Sequence, residues 1–404
     1  VAELSKSFPI GGKVAPGFEP VLQEFRENFA RRGEIGAACA AWVNGHSVVD
    51  LWGGFRDARR HLPWEEDTLA LVFSTTKGLA AMAIAVACSR GLFELETPVS
   101  RYWPEFAAAD KRDITVRQLL THQAGVCALD AKVDAEILSS PDRLAGILAG
   151  QRPFWRPGMY HGYHPVTLGW YESELIRRTD PQHRTLGRYF AEEVAGPLGL
   201  EFYIGLPRSV STERIAVLRD YYLWQVAFHL RDLPPAFALA ILNPFSLVQR
   251  AMRNPPVWRP SELSGPLYRT LEIPAANGIG LPRSIAKAYG EFAAGAPGLA
   301  ISDRAFDAIV TAAPPPPGGI LDRVFKVRSS FAAGYFKPSP DFRFGSSNRA
   351  FGMPGLGGSF GFADPDLGLG YAYVPNRLGY HLWNDPREMA LREAVYRCLL
   401  KSRT

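Results

Sequence analysis

The sequence predicts one α/β domain assembled from both ends of the chain, with a mainly helical region inserted between them. Three observations carry that expectation. A helix-patterned segment leads into a β-hairpin near the N-terminus. A long central stretch reads as helices broken by Pro and Gly. A Gly-punctuated run of β-prone segments then precedes a closing helix. The expected division is 1–98 with 275–404 for the sheet domain and 99–274 for the helical one, within which 210–270 forms a cap-like segment.

Each element has its own warrant. Residues 16–33 carry Phe18, Val21, Leu22, Phe25 and Phe29 at helical spacing. Gly36–Val43 and Val48–Trp52 are apolar, β-prone runs separated by Asn44-Gly45, the strongest short hairpin signal in the chain. Residues 74–90 form an Ala-rich helix ended by Gly91, and 99–200 reads as mainly helical. Residues 210–270 mix helix-like runs such as Tyr221–Leu230 with breaks at Pro234-Pro235 and Pro255-Pro256. Tyr221, Tyr222, Trp224, Phe228 and Trp258 crowd there, equally consistent with a helix core and with a cap lining an acyl pocket. A helix over 283–295, a polyproline spacer at Pro314–Pro317, short strands between Phe331 and Pro375, and an amphipathic helix from Asn384 to Lys401 complete the chain.

Composition excludes several classes. The 404 residues are 47 % hydrophobic and 21 % charged, ordinary globular values that argue against disorder. The net charge of +5 is spread in short runs such as Arg31-Arg32 and Arg59-Arg60, so nucleic acid is not an expected partner. Cys39, Cys88, Cys127 and Cys398 have no metal-ligand or CxxC spacing, and Cys39 and Cys88 read as buried free thiols. No run approaches the ~20 apolar residues of a membrane span. The expectation is a cytoplasmic protein, unless a signal peptide has been removed ahead of Val1.

The chemistry concentrates in three stretches. In Leu71-Val72-Phe73-Ser74-Thr75-Thr76-Lys77, an apolar approach meets a helix start and puts Ser74 and Lys77 on one face. A serine hydroxyl becomes a nucleophile when a neighbouring base takes its proton, and a lysine with its pKa lowered by burial can do so. In Pro157-Gly158-Met159-Tyr160-His161-Gly162-Tyr163-His164-Pro165, a turn places phenols in a loop. A tyrosine beside cations ionises below its usual pKa of about 10 and can serve as base; chemistry alone leaves Tyr160 and Tyr163 both open, with His161 and His164 as further base candidates. In Gly352–Gly361, a Gly-rich strand edge lets backbone N–H groups approach a ligand as part of an oxyanion hole.

Together these stretches resemble the serine β-lactamase/penicillin-binding-protein superfamily, and within it most closely the family VIII carboxylesterases. Ser74-Thr75-Thr76-Lys77 matches the Ser-x-x-Lys box, and Pro157-Gly158 followed after four residues by Tyr163 matches the box that ends Tyr-x-Asn, which selects Tyr163. Met353–Leu356 stands where Lys-Thr-Gly or His-x-Gly occurs. Gln118–Gly125 and Ala276–Gly280 match further segments, in order, across about residues 20–400. The resemblance implies a β-lactamase-like fold, an antiparallel sheet flanked by N- and C-terminal helices with an inserted helical domain. It also implies an acylated Ser74, Lys77 and Tyr163 as a joint proton relay, and an oxyanion hole from the N–H groups of Ser74 and Leu356. His164, Gly355 and Gly357 are expected to border the substrate pocket. No metal and no cofactor is implied.

Two departures sharpen the substrate class. Pro165 replaces the Asn that holds a lactam amide, and Met353 with Pro354 replaces the cation that attracts a substrate carboxylate. An anion left unpaired in a partly buried pocket costs several kcal/mol. Short-chain neutral carboxylic esters are therefore the expected small-molecule substrates. A β-lactamase or D-alanyl-peptidase-like hydrolase is the alternative, and a non-catalytic scaffold of the same fold is the third reading. Gly357-Gly358-Ser359-Phe360-Gly361 also spells a nucleophile elbow, but that motif needs a helix directly after it, and a turn and a β-prone run follow instead. Ser359 is read as a turn residue, His122 as a structural histidine and Asn277 as part of a turn. His161 and His164 read equally as pocket-tuning or exposed loop residues. The oligomeric state is not legible.

Overall fold

The computed structural model describes residues 8–221, 225 and 228–401. Four strands come first: β1 (Ile10–Val14), β2 (Gly36–Val43), β3 (His46–Asp57) and β4 (Leu62–Pro63). Three short ones, β5 (Ala70–Leu71), β6 (Phe202–Tyr203) and β7 (Ile279–Gly280), lie along the middle of the chain. Five more follow: β8 (Ser330–Ala332), β9 (Tyr335–Lys337), β10 (Phe351–Pro354), β11 (Phe360–Asp364) and β12 (Leu369–Pro375). Nine of these strands form one antiparallel sheet in the order β1-β3-β2-β12-β11-β10-β9-β8, with β4 on β3. The two chain ends therefore meet where β2 pairs with β12.

The hairpin forms as its dipeptide demands. Asn44 and Gly45 both take positive φ, 48° and 81°, and Val43 pairs directly with His46. β3 runs on to Asp57, five residues past the expected Trp52, because β1 and β2 pair with it to Gly53 and Gly54 and β4 then pairs with Phe55 and Asp57. β1 carried no sequence signal. Its Gly11-Gly12 pair looks like a turn, yet Gly12 lies so near β3 that a Cβ would sit 2.1 Å from the Asp50 carbonyl oxygen.

The five longest helices are α1 (Glu19–Arg31), α2 (Thr75–Ser89), α3 (Thr167–Thr179), α4 (Pro282–Ala293) and α5 (Pro386–Lys401); α3 belongs to the central region and packs on α2, and the other four flank the sheet. Strand alternation assigns the layers. Ala37, Cys39 and Ala41 of β2 face a cluster that contains Phe25 and Phe29 of α1 and Leu391 and Val395 of α5. Ala38 and Ala40 face the other way, into the cluster that holds α2 and α4. Small residues bring α4 close, since a Cβ at Gly370 would lie 2.0 Å from the Gly290 amide nitrogen. α2 is buried from Thr75 to Ala87, which explains a sequence apolar on every side.

The central region departs from expectation in scale. Between 99 and 200 most helices are one or two turns long, because Pro and Gly interrupt each run, and α3 is the longest of them. Within 210–270, Pro235–Leu242 and Leu247–Ala251 are helical, whereas the expected helix over Tyr221–Leu230, with Tyr222 and Trp224, lies partly outside the described residues. The four cysteines are unpaired, with Cys39 buried and Cys88 half-buried. No described helix is long and apolar enough to cross a membrane.

Candidate active site

Ser74 caps the N-terminus of α2, where the chain leaves β5 through a tight turn. Phe73 takes φ +46°, a region costly for a side chain of its size, and the turn is held on all sides. The Val72 amide donates to Gly278 O at 3.0 Å, Gly278 N–H donates to Thr76 Oγ1 at 2.8 Å, and Thr76 N–H donates to Phe73 O at 3.0 Å. β7 thus clamps the turn from one side. Ser359 clamps it from the other, its hydroxyl donating to Val72 O at 2.8 Å and lying 3.2 Å from Thr75 Oγ1. The strand β11 after Ser359 confirms that no elbow helix follows.

One helical turn on, Lys77 is fully buried and its side-chain nitrogen has three oxygens within hydrogen-bond distance. Nζ lies 3.1 Å from Ser74 Oγ, 2.6 Å from Pro165 O and 2.8 Å from Ala275 O. Burial pushes the amine down to about 7, with the Glu172 carboxylate pulling it partly back. Nζ also stands 4.8 Å from the centroid of the Tyr163 ring. The Tyr163 hydroxyl is hydrogen-bonded to the Ser74 side chain and lies 3.6 Å from Met353 Sδ. The trio named from sequence is therefore in mutual contact.

Several expectations are corrected here. Tyr163 does not ionise easily. Burial pushes its pKa up, and the Ser74 hydrogen bond only partly offsets this, because a phenolate among Phe325, Phe331 and Phe336 is poorly solvated. His164 does not border the cavity. It is fully buried behind Tyr163, its Nδ1 2.7 Å from Gly162 O and 3.2 Å from His122 Nδ1, and burial drives it down to about 3. Gly357 also misses the cavity, because its α-carbon faces Leu378. His161 is buried rather than exposed, 3.1 Å from Ile320 O. His122 and Asn277 hold structural bonds, the latter joining Ile273, Tyr268 and Leu271 across a turn.

Gly355 and Leu356 do reach the cavity, at the end of β10. Gly355 N–H donates to Ser359 O at 2.7 Å, which ties the turn carrying Leu356 to the start of β11. The cavity measures about 1030 Å³ and takes Ser74 and Tyr163 as its floor. Leu233, Phe237, Ile241, Met252 and Trp258 of the 210–270 stretch also line it, and Leu233 and Phe237 belong at the same time to a buried core cluster.

Three supporting residues were not singled out from sequence. Asp322 accepts the Tyr163 amide at 2.8 Å and those of Val324 and Phe325 at 2.8 and 2.7 Å, fixing the phenol's backbone. Arg387 bonds Asp385 through Nε and Nη2 at 2.9 and 2.8 Å, Glu34 at 3.1 Å and Gly357 O at 3.3 Å, bracing the loop that carries Leu356. Glu172, on α3, is fully buried within electrostatic reach of Lys77. Only Glu172 left a sequence signal, an acid where the helical period of Leu168, Leu175 and Ile176 demands an apolar residue.

A helix-borne Ser-x-x-Lys pair, a phenol from a neighbouring loop and a Gly-rich strand edge, on an antiparallel sheet with an inserted helical region, define a β-lactamase-like serine hydrolase site. The chain belongs to the beta-lactamase family, whose pattern it matches over residues 21–395. It is 32 % identical over 377 residues to the esterase/beta-lactamase LipL of Mycobacterium tuberculosis, an alignment that covers 91 % of this chain and 83 % of that protein. The crystal structure of a family VIII carboxylesterase superposes with a TM-score of 0.84 at 38 % identity, covering 96 % of this chain and all of the other. A penicillin-binding protein homologue from Caulobacter crescentus gives 0.81 at 35 % identity, over 96 % of this chain and 100 % of its own.

Proposed function

We propose that the protein is a serine carboxylesterase that hydrolyses neutral, short-chain carboxylic esters through an acyl-enzyme on Ser74. The observation that carries this is the 3.1 Å contact between Lys77 Nζ and Ser74 Oγ, made by an amine whose burial leaves it free base near neutral pH. Ser74 Oγ adds to the ester carbonyl carbon as its proton passes to Lys77. The carbonyl oxygen becomes an oxyanion held by the N–H groups of Ser74 and Leu356. Collapse of the tetrahedral adduct breaks the bond to the alcohol, which leaves with that proton. Water then repeats the sequence on the acyl-enzyme and releases the acid. Tyr163, kept protonated, donates to Ser74 and to the departing oxygen rather than abstracting a proton. The buried Met353 and the Pro165 carbonyl bound to Lys77 offer nothing to an anionic lactam, which favours neutral esters. The four free thiols support a cytoplasmic setting.

The test has two arms. A fluorophosphonate should label the wild type at Ser74, mapped by mass spectrometry, and leave Ser74→Ala unlabelled. Absence of labelling, or a tag on Ser359, overturns the proposal. p-Nitrophenyl butyrate should be hydrolysed far faster than nitrocefin, and the reverse preference would replace the esterase by the lactamase reading. The fall of kcat/KM along p-nitrophenyl acetate, butyrate, octanoate and laurate then reads the acyl limit.

A further inference from the structure

Behind Lys77 lies a set of buried polar atoms that the acyl-transfer chemistry does not use. Both carboxyl oxygens of Glu172 are buried without a hydrogen-bond partner, and so are the hydroxyls of Tyr289 and Tyr335. They arrive from three separate elements, α3, α4 and β9, and converge on the first turns of α2. Gly78, next to Lys77, has no side chain because the Tyr289 hydroxyl occupies that space, 1.8 Å from where a Cβ would stand. Gly334 touches both partners, since a Cβ there would lie 2.6 Å from Ala81 Cβ and 3.6 Å from Glu172 Oε1. Ala81 is one turn beyond Lys77 on the same face. A carboxyl group so placed, with no arginine and no N–H upon it, has one group of opposite charge to answer to.

We propose that Glu172 is a positioning residue that sets the protonation of Lys77, acting as the buried counter-charge of its ammonium form. The inference rests on the esterase reading, in which Lys77 must take the Ser74 proton. Burial pushes the Glu172 carboxyl up and the Lys77 amine down, and each one's charge is the main force opposing that shift in the other. In so dry a setting a lone ion is expensive, and the two charges are stable chiefly as a pair. The other groups facing the pair are neutral. Tyr163, Tyr289 and Tyr335 are phenols pushed up by burial, and His122 and His164 are imidazoles pushed down by it. Asp322, on the far side of Tyr163, is engaged by three backbone amides. When Lys77 accepts the Ser74 proton, an anionic Glu172 leaves the pair neutral, so the field of Glu172 favours that transfer.

Glu172→Gln keeps the shape and removes the charge. The acid limb of kcat/KM on p-nitrophenyl butyrate should move to lower pH by about one unit, with KM changed less than about twofold. Glu172→Leu, which also removes the amide, should give the same shift. A limb that stays in place, or moves up, in both variants overturns the proposal. In a Ser74→Ala background the Lys77 13Cε resonance titrates without catalysis. The Glu172→Gln change should lower its midpoint there too, and an unmoved midpoint refutes the assignment even if the kinetic variants fold poorly. Failure of the esterase reading is separately visible, as a wild type that neither hydrolyses the ester nor accepts a fluorophosphonate.

Discussion

Gly355→Ala is the most informative single change, because the conformation of Gly355 is not special while its surroundings are. Its φ and ψ, −117° and 157°, are extended values that alanine adopts freely, so any effect is steric. A Cβ there would lie 2.2 Å from Ser359 Oγ, 2.3 Å from Val72 O and 2.9 Å from Thr75 Oγ1. Ordinary contact needs about 3.4 Å or more, so the strand edge must retreat from the Ser74 turn by roughly 1 Å. That retreat separates the two proposed oxyanion donors, since Leu356 rides on the strand and Ser74 on the turn. Losing one such donor costs about 3 kcal/mol of transition-state stabilisation, a fall of roughly 10²–10³-fold in kcat. The assay is steady-state hydrolysis of p-nitrophenyl butyrate, with thermal unfolding and fluorophosphonate burst size measured alongside. KM should change little, because the substrate carbonyl binds before the oxyanion exists. A kcat within about fivefold of wild type, in a variant with an unaltered melting curve, would falsify the oxyanion assignment.

Three further outcomes follow from the same geometry. Asp322→Ala strips three backbone amides of their acceptor, and should cost about 2–4 kcal/mol of stability and lower kcat by roughly tenfold as Tyr163 loosens; denaturant unfolding and kinetics read the two effects. Ser359→Ala removes the hydroxyl bond to Val72 O, and should weaken folding by about 1 kcal/mol while labelling at Ser74 persists; loss of all labelling would point back to Ser359. The kcat/KM of the wild type should rise with pH through about 7 and then stay level, because only the free amine of Lys77 accepts a proton, and that form prevails above its lowered pKa. Tyr163 is pushed upwards and stays protonated over that range, so a decline starting just above pH 8 would contradict its assigned role.

What the sequence could reveal was set by distance along the chain. Ser74 and Lys77 were legible because their relation is local: three residues on one helix share a face wherever that helix goes. The hairpin was legible for the same reason, since Asn44-Gly45 dictates its own turn. Tyr163 could be placed in a loop but not chosen over Tyr160 without a family pattern, and its pKa direction came out reversed. Residue types name the neighbours a group could have. Only packing says whether Phe325 and Phe336 or water surround it, and burial outweighs one nearby cation. β1 was invisible because its glycines answer to β3, more than thirty residues away. Asp322 and Arg387 stayed hidden on the same ground, with their partners in the Tyr163 loop and at Glu34.

Glu172 marks the boundary between the two kinds of knowledge. Its helical period announced an anomaly, a carboxyl where an apolar side chain belongs, without naming what tolerates it. The fold supplies the answer by laying α3 against α2, so that the burial which would expel a lone acid brings it beside a buried base. Two groups each misplaced alone are tolerable together. The same apolar packing that frees the Lys77 amine for chemistry therefore makes its behaviour hostage to a residue ninety-five positions further on. An engineered core that replaced Glu172 by a better-packed aliphatic would gain stability and alter the enzyme's pH range in one step.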